Sequence, residues 1–150
     1  MILEWLFLDY NELSKQQLHK ILIFRQEIFV VEQNCPYLDA DEKDRFSHHL
    51  LGLKNHGQLV AYLRLVHAGI SYPEISFGRI ATHISFRSQG LGKRLMKEGL
   101  TRTEQMFGKN PIRISAQTHL VSFYTFFGFV STGKNYLEDG IPHTEMLRKI

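Results

Sequence analysis

The sequence predicts an α/β domain: a mixed, mostly antiparallel sheet flanked by helices, with a central parallel β-α-β unit. Two observations lead to this prediction. Short apolar stretches of strand character alternate with segments of helical periodicity, in the order β-α-ββ-β-α-β-α-ββ. Near the middle of the chain, a strand is followed by a glycine-bearing turn, a long helix and another strand, which is the order of a right-handed parallel crossover.

Length and composition narrow the possible classes of protein. The chain has 150 residues, which suits one domain over residues 1–150, and its formal net charge of +3 argues against a nucleic-acid-binding surface. No apolar run approaches the ~18 residues of a membrane span, and the N-terminal stretch has no basic leader. A single cysteine, Cys35, excludes an internal disulfide. We therefore expect a cytoplasmic protein that binds neither nucleic acid nor membranes.

The first third of the chain predicts a strand, a helix and a long loop. Residues 3–8 form an apolar run broken by Glu4, as in an edge strand. Ser14 is a suitable N-cap for an amphipathic helix over residues 15–29. Pro36 and the acidic residues around it end regular structure, so a loop is expected up to about residue 48.

The middle of the chain predicts a hairpin and then the central crossover. Strands over residues 49–54 and 59–66 are joined by a turn that contains Gly57. A strand over residues 75–82 leads to the glycine turn, and a helix follows over residues 90–107.

The last third predicts three strands and a short helix. A strand over residues 112–117 precedes an apolar helix over residues 120–127. The last strands are expected at residues 129–130 and 143–147, with a turn over residues 135–142 between them.

The turn from Arg87 to Gly92 has the features of a phosphate-binding segment. The first N–H groups of a helix have no acceptor within the helix and carry partial positive charge. Glycine allows an anion to approach these groups, and Arg87 and Lys93 add positive charge on either side. The spacing is neither that of a Walker loop nor that of a Rossmann fingerprint.

This turn resembles the pyrophosphate loop of the GNAT family of acetyl-CoA-dependent N-acyltransferases, whose pattern is Arg/Gln-x-x-Gly-x-Gly/Ala. Further stretches are similar to that family: the preceding strand, Gln117 after the next strand, and the aromatic segment around Tyr124. The resemblance implies the GNAT acyl-CoA N-acyltransferase fold. It also implies that acetyl-CoA is bound by Ile80, Ala81, Thr82, Arg87, Ser88, Gln89, Gly90, Leu91, Gly92, Lys93, Gln117 and Tyr124.

A narrower resemblance is to the ElaA-like branch of the GNAT family. It rests on the segments FVVEQNCPYLDADEKD, AQTHL, FGF and EDGIPH. Members of this branch are predicted acetyltransferases, so the resemblance leaves the acceptor open: a protein N-terminus, a lysine, a polyamine or another small amine. The apolar ends of the chain are compatible with a homodimer.

The resemblance implies transfer of an acetyl group from the thioester to a primary amine by direct attack. Tyr124 occupies the family's tyrosine position, and a phenol is a suitable acid for the leaving thiolate. Glu32 and His143 are the leading candidates for the base, with His119 a third. Positioning and a water chain are sufficient in principle, so a dedicated base is not required.

We expect no metal site. Asp39, Asp41 and Asp44 lie near two histidines, His48 and His49, but the glycine and terminal glutamate of a calcium loop are absent. This cluster is interpreted as a solvated loop or as a surface for a cationic acceptor.

Two alternatives remain open at the level of sequence. One is a relative of the acyl-homoserine-lactone synthases, which share the GNAT architecture and acylate S-adenosylmethionine. The residues that suggest it are Arg25, Phe29, Asp41, Asp44, Arg64 and Arg79. The intact glycine turn argues against it, because that turn is missing from those synthases. The other is a non-catalytic acyl-CoA-binding or sensing domain.

Overall fold

Seven strands form one mixed sheet in the computed structural model, which describes residues 1–150. The strands are β1 (Glu4–Asp9), β2 (Ser47–Lys54), β3 (Gln58–Val66), β4 (Ile75–Thr82), β5 (Ile112–Gln117), β6 (Val130–Glu138) and β7 (Ile141–Arg148). The helices are α1 (Lys15–Arg25), α2 (Leu91–Phe107) and α3 (Val121–Thr125). None of them combines the length and the apolar composition that crossing a membrane requires.

The strands lie in the order β1-β2-β3-β4-β5-β7-β6. All neighbouring pairs are antiparallel except β4 and β5, which are parallel and are connected through α2. The predicted mixed sheet with a central parallel β-α-β unit is therefore confirmed.

Apolar side chains on the two faces of the sheet form two cores. On one face, α2 packs through Leu95 and Met96 against a core that includes Leu63 of β3. On the other face, α1 packs through Ile21 and Phe24. Alternate residues of a strand point to opposite faces, so the same central strands contribute to both cores.

The N-terminal helix differs from its predicted form. Ser14 caps it as predicted, and its hydroxyl accepts a hydrogen bond from the Gln17 amide at 3.0 Å. The regular helix ends at Arg25, however, and continues as a π-helix over Gln26–Glu32. The wider turns begin where the fully buried Arg25 side chain is held by ion pairs with two aspartates.

The C-terminal hairpin is longer than predicted. The expected turn over residues 135–142 is wrong, because β6 extends to Glu138 and β7 begins at Ile141. Asp139 and Gly140 alone form the turn, with φ values of 50° and 78° that match a type I′ hairpin. The strand β6 is a mostly exposed sheet edge with polar side chains, so it lacks the apolar alternation that would identify it.

Candidate active site

The two parallel strands pair only at their beginnings. Ile75, Ser76 and Phe77 of β4 pair with Ile112–Ile114 of β5, and from that point β5 pairs only with β7. From Gly78 to Thr82, β4 is paired with β3 alone and its other edge is free. A cleft of about 640 Å³ opens between the separated strands. A free strand edge beside a cleft can bind an extended molecule through backbone hydrogen bonds.

A β-bulge interrupts β4 beside this cleft. Tyr62 pairs with Ala81 and Arg64 pairs with Gly78, so two residues of β4 face one residue of β3. Arg79 in the bulge has a φ of 50°, a left-handed conformation that is uncommon for a non-glycine residue. A bulge leaves backbone groups outside the regular ladder, and Ile80 of this segment lines the cleft.

The glycine turn ends at the N-terminus of α2. Gly90 is the N-cap, with a φ of 75°, and a Cβ built on it meets no atom within 4 Å. The first amide that donates to a helical carbonyl is that of Arg94, which bonds Gly90 at 3.2 Å. The amides of Leu91, Gly92 and Lys93 therefore have no acceptor within the helix. This arrangement suits a phosphate group.

Arg87 holds the turn against the neighbouring elements. Its guanidinium donates to the carbonyl oxygen of Thr82 at 2.9 and 3.1 Å. It also donates to Glu32 at the end of the π-helix, with an Nη1–Oε2 distance of 2.8 Å. Glu32, one of the two predicted bases, is thus the ion-pair partner of Arg87.

Tyr124 lies in α3 and is one of the residues that line the cleft. The residue is 6% exposed, and its hydroxyl makes no hydrogen bond within the chain. Nε of Arg64 is the one fully buried side-chain polar atom that lacks a hydrogen-bond partner. The Tyr124 hydroxyl also lacks a partner, so it is not fully buried. Burial raises the pKa of the Tyr124 phenol well above its usual value, so the hydroxyl keeps its proton at neutral pH.

His143, in β7, also lines the cleft. Its Nδ1 is 2.7 Å from the carbonyl oxygen of Ile141. A carbonyl only accepts, so Nδ1 donates this hydrogen bond, and proton exchange is left to Nε2. The Nε2 atom lies 3.3 Å from Oε2 of Glu138, a cleft residue whose side chain is 53% exposed.

Most of the predicted site residues come together in this one cleft. The residues that line it are Glu32, Ile80, Ala81, Thr82, Arg87, Gln117, His119, Tyr124 and His143. The predicted residues from Ser88 to Lys93 form the adjoining turn and helix start instead. Leu91 has a buried side chain, so only its backbone is available to a ligand.

The comparison with known proteins identifies the family. The sequence profile of the Acetyltransferase (GNAT) domain matches residues 14–150. The chain belongs to the GNAT family. It is also 41% identical over 150 residues to a UPF0039 protein of Synechocystis, covering 100% of this chain and 97% of that protein. It is 38% identical over 151 residues to ElaA of Escherichia coli, covering 99% of this chain and 98% of ElaA.

Solved GNAT structures agree with these matches. An acyl-CoA N-acyltransferase from Pseudomonas aeruginosa superposes with a TM-score of 0.93 at 39% identity, covering 98% of this chain and 99% of that chain. The crystal structure of Escherichia coli ElaA gives a TM-score of 0.91 at 38% identity, covering 99% and 100%. The predicted GNAT fold and the ElaA-like resemblance are confirmed.

A more distant structure bears on the first alternative. A CoA-dependent acyl-homoserine lactone synthase superposes with a TM-score of 0.75 at 17% identity, covering 97% of this chain and 82% of that chain. At this identity the likeness shows a shared GNAT architecture and no more.

The interpretation of residues 39–44 of this GNAT chain as a solvated loop is wrong for two aspartates. Asp39 and Asp44 are buried, and Arg25 donates to both, at 2.9 and 2.6 Å. Burial opposes ionisation of Asp44, but Arg25 and Arg64 outweigh it and hold the pKa of that carboxyl below its usual value. We call this group the arginine–aspartate cluster. Its members are Arg25, Arg64, Arg79, Asp39, Asp41 and Asp44.

Sequence reasoning missed a set of aromatic and hydroxyl groups next to His143. Tyr136 of β6 stacks on the His143 ring, with centroids 6.2 Å apart and an interplanar angle of 12°. Its hydroxyl is 2.5 Å from Oγ of Ser115, which lines the cleft. The sequence predicts Tyr136 in a turn, and recognising Asp139-Gly140 as a two-residue hairpin would have placed it on the strand beside His143.

A second groove of about 740 Å³ runs along α2 and does not contain Tyr124. Its lining includes Lys93, whose Nζ lies 4.6 Å from the Phe126 ring centre. The predicted ligand-binding residue Lys93 therefore lines this groove and not the cleft that holds Tyr124.

Proposed function

We propose that this chain is an acetyl-CoA-dependent N-acetyltransferase that transfers the acetyl group directly to a primary amine. One observation carries the proposal: residues of the free edge of β4 and Tyr124 line the same cleft, and the glycine turn adjoins it. An acyl-CoA is a long molecule with anionic phosphates at one end and a thioester at the other. The cleft supplies donors for each of these parts.

The donor is held by backbone groups for most of its length in this proposal. The pyrophosphate would lie against the amides of Leu91, Gly92 and Lys93, where no Cβ of Gly90 intrudes. The pantetheine arm would add to the free edge of β4 at Ile80, Ala81 and Thr82. In such a fit its sulfur would lie at the end of the strand away from the glycine turn, and we propose Tyr124, which lines the same cleft, as its partner.

The reaction needs one bond formed, one broken and two protons moved. The amine nitrogen attacks the thioester carbonyl carbon, and the carbonyl oxygen gains negative charge that an amide in the bulged segment of β4 stabilises. The C–S bond then breaks. The thiolate takes a proton from the Tyr124 hydroxyl, the nitrogen loses one to a base or to water, and the Tyr124 phenolate regains a proton from water.

His143 is the better placed of the two proposed bases. Its Nδ1 proton is engaged by Ile141, so Nε2 would take the proton of the acceptor, and Glu138 at 3.3 Å would stabilise the imidazolium that forms. Glu138 beside Nε2 supplies a negative charge that favours an incoming ammonium group. Glu32 is the second candidate, but its carboxylate is paired with Arg87.

The remaining parts of the proposal concern the cellular location, the acceptor and the oligomeric state. We propose a cytoplasmic enzyme whose acceptor is a small-molecule or peptide amine and which acts without a metal in the reaction. A homodimer is proposed from the exposed apolar ends, where Ile2 is 91% and Ile150 80% exposed. Sedimentation equilibrium would test the oligomeric state.

Replacing Tyr124 tests the acid. Tyr124→Phe removes only the hydroxyl, so turnover is expected to slow by about 100-fold while the affinity for acetyl-CoA is unchanged. The assay follows free thiol with acetyl-CoA and a broad panel of amines, and product mass identifies the acceptor. Tyr10→Phe, which lies outside the cleft, is the matched control. Unchanged turnover in Tyr124→Phe contradicts the acid assignment.

Gly90→Glu tests the donor site separately. A side chain at this positive-φ position would place negative charge beside the phosphate-binding amides, so acetyl-CoA binding is expected to be lost. Tight acetyl-CoA binding by the unmodified chain without amine-dependent thiol release would favour the sensing domain. A lactone formed from S-adenosylmethionine and an acyl-CoA would favour the synthase-like alternative.

A further inference from the structure

Three side chains that could bind a metal ion meet at the sheet end that holds Asp9, outside the cleft. They are Asp9 at the end of β1, His48 in β2 and His67 just after β3. Asp9 and His48 are direct partners in the β1–β2 ladder, and the His67 amide donates to the Phe46 carbonyl at 3.0 Å. The backbone of three neighbouring strands therefore fixes the three side chains.

The ligand atoms of these residues lie close together. Nδ1 of His48 and Nε2 of His67 are 2.8 Å apart, and Oδ1 of Asp9 lies 3.8 Å from the first and 3.9 Å from the second. A point equidistant from the three atoms lies about 2.1 Å from each, close to their plane, which is the bond length that Zn²⁺ makes with imidazole nitrogen and carboxylate oxygen. The two nitrogens lie at hydrogen-bond distance, so binding a tetrahedral ion would move them apart to about 3.4 Å and replace the proton between them.

We propose that Asp9, His48 and His67 form a binding site for a divalent transition-metal ion such as Zn²⁺. Two imidazoles and one carboxylate are ligands that suit such ions and not Ca²⁺ or Mg²⁺, which prefer oxygen. Each imidazole coordinates in its neutral form, with its proton on the other ring nitrogen: Nε2 of His48 and Nδ1 of His67. The fourth position of a tetrahedral ion is left to water.

The surroundings support metal binding. The His48 ring stacks on Phe7 at 4.9 Å and meets the edge of Phe107 at 5.3 Å. Phe107 also lies 6.0 Å from the His67 ring. Such an apolar lining limits competition from water, whereas the Asp9 side chain is 30% and the His67 side chain 34% exposed, which leaves an entry path. None of the three ligands lines the cleft, so the site is separate from the proposed acyl-transfer site, and a bound ion would join β1 to β2 and β3.

Zn²⁺ titration of the untagged, chelator-treated full chain tests the proposal. Calorimetry is expected to give one Zn²⁺ per chain, with a rise in the melting temperature that grows with Zn²⁺ concentration. His67→Gln and Asp9→Asn should each weaken binding by more than about 100-fold, since even second-shell partners contribute 10- to 100-fold. His19→Gln, an exposed histidine elsewhere, should bind as the unmodified chain does.

A spectroscopic measurement guards against variants that fold poorly. Co²⁺ bound by the unmodified chain should show the visible d–d absorption of a low-coordinate site, and Zn²⁺ should displace it with the same stoichiometry. Acetyl transfer should be unchanged in Asp9→Asn. No stoichiometric Zn²⁺ in the unmodified chain, or equal binding in the unmodified chain and both ligand variants, would overturn the proposal.

Discussion

The arginine–aspartate cluster and the glycine turn are two charged regions near β4, and they use charge in opposite ways. Each guanidinium of the cluster is paired with a carboxylate of the same chain, at distances from 2.6 to 3.5 Å. In the turn, the first amides of α2 have no acceptor within the helix. Charges that are paired internally fix a wall of the cleft, whereas unpaired donors mark where an outside group can bind.

The largest expected effect comes from breaking the cluster. Arg25→Met should lower the free energy of unfolding by about 3–5 kcal/mol, because it removes one of the two arginines that pair with each of the buried Asp39 and Asp44. Urea unfolding at pH 7 measures this change. Arg45→Met is the matched control, since Arg45 and Glu42 are exposed and their pair contributes less than about 1 kcal/mol. Equal losses in both variants would show that the buried cluster does not stabilise the fold.

A smaller loss of folding stability is expected when the pH is lowered. Burial holds the pKa of His49 at about 4 in the folded chain, below its ordinary 6.5, and Nε2 contacts the Asp44 carbonyl at 3.0 Å. As pH falls below about 6.5, the unfolded chain binds a proton that the folded chain excludes. Stability therefore decreases with falling pH until about pH 4, and the loss at pH 5 is about 2 kcal/mol.

Urea unfolding at pH 7 and at pH 5 measures this loss, and His49→Gln should reduce it. A pH dependence that is identical in His49→Gln and the unmodified chain would show that other groups cause it. Comparison at pH 5 and above limits the contribution of carboxylates, whose protonation becomes important at lower pH.

The smallest expected effect is on the kinetics of the proposed reaction, when the ion pair between Glu32 and Arg87 in the cleft is removed. Glu32→Gln should raise KM for acetyl-CoA by less than about fivefold and leave turnover unchanged, because the pair with Arg87 is partly exposed and Arg87 keeps its two bonds to Thr82. Steady-state kinetics with varied acetyl-CoA separates the two effects. If turnover instead slowed by about 100-fold or more, Glu32 would be the base and His143 would lose that role.

The two regions also differ in how far sequence predicts them. The strand β4, the glycine turn and α2 are consecutive, and each has a local signal, so the sequence predicts their bounds almost to the residue. The cluster joins residues from α1, a polar loop, β3 and β4. Nothing in the loop indicates that Asp39 and Asp44 are buried, because burial depends on arginines that are distant in sequence.

In the cleft, too, the sequence does not predict contacts between residues that are distant in the chain. Family resemblance predicts Tyr124 and Gln117 as site residues, and the structure places both in the cleft. The pairing of Glu32 with Arg87, 55 residues apart, has no local sequence signal. The same holds for Asp9, His48 and His67, which become neighbours only when three strands align.

The free edge of β4 has a consequence for the sheet as a whole. Beyond Phe77, this interior strand has backbone groups that neither β5 nor any other strand satisfies, although strands lie on both sides of the gap. A sheet built in this way is incomplete until an extended molecule enters it. Under the proposed function, the donor substrate would serve as a temporary eighth strand, and every catalytic cycle would complete and reopen the sheet.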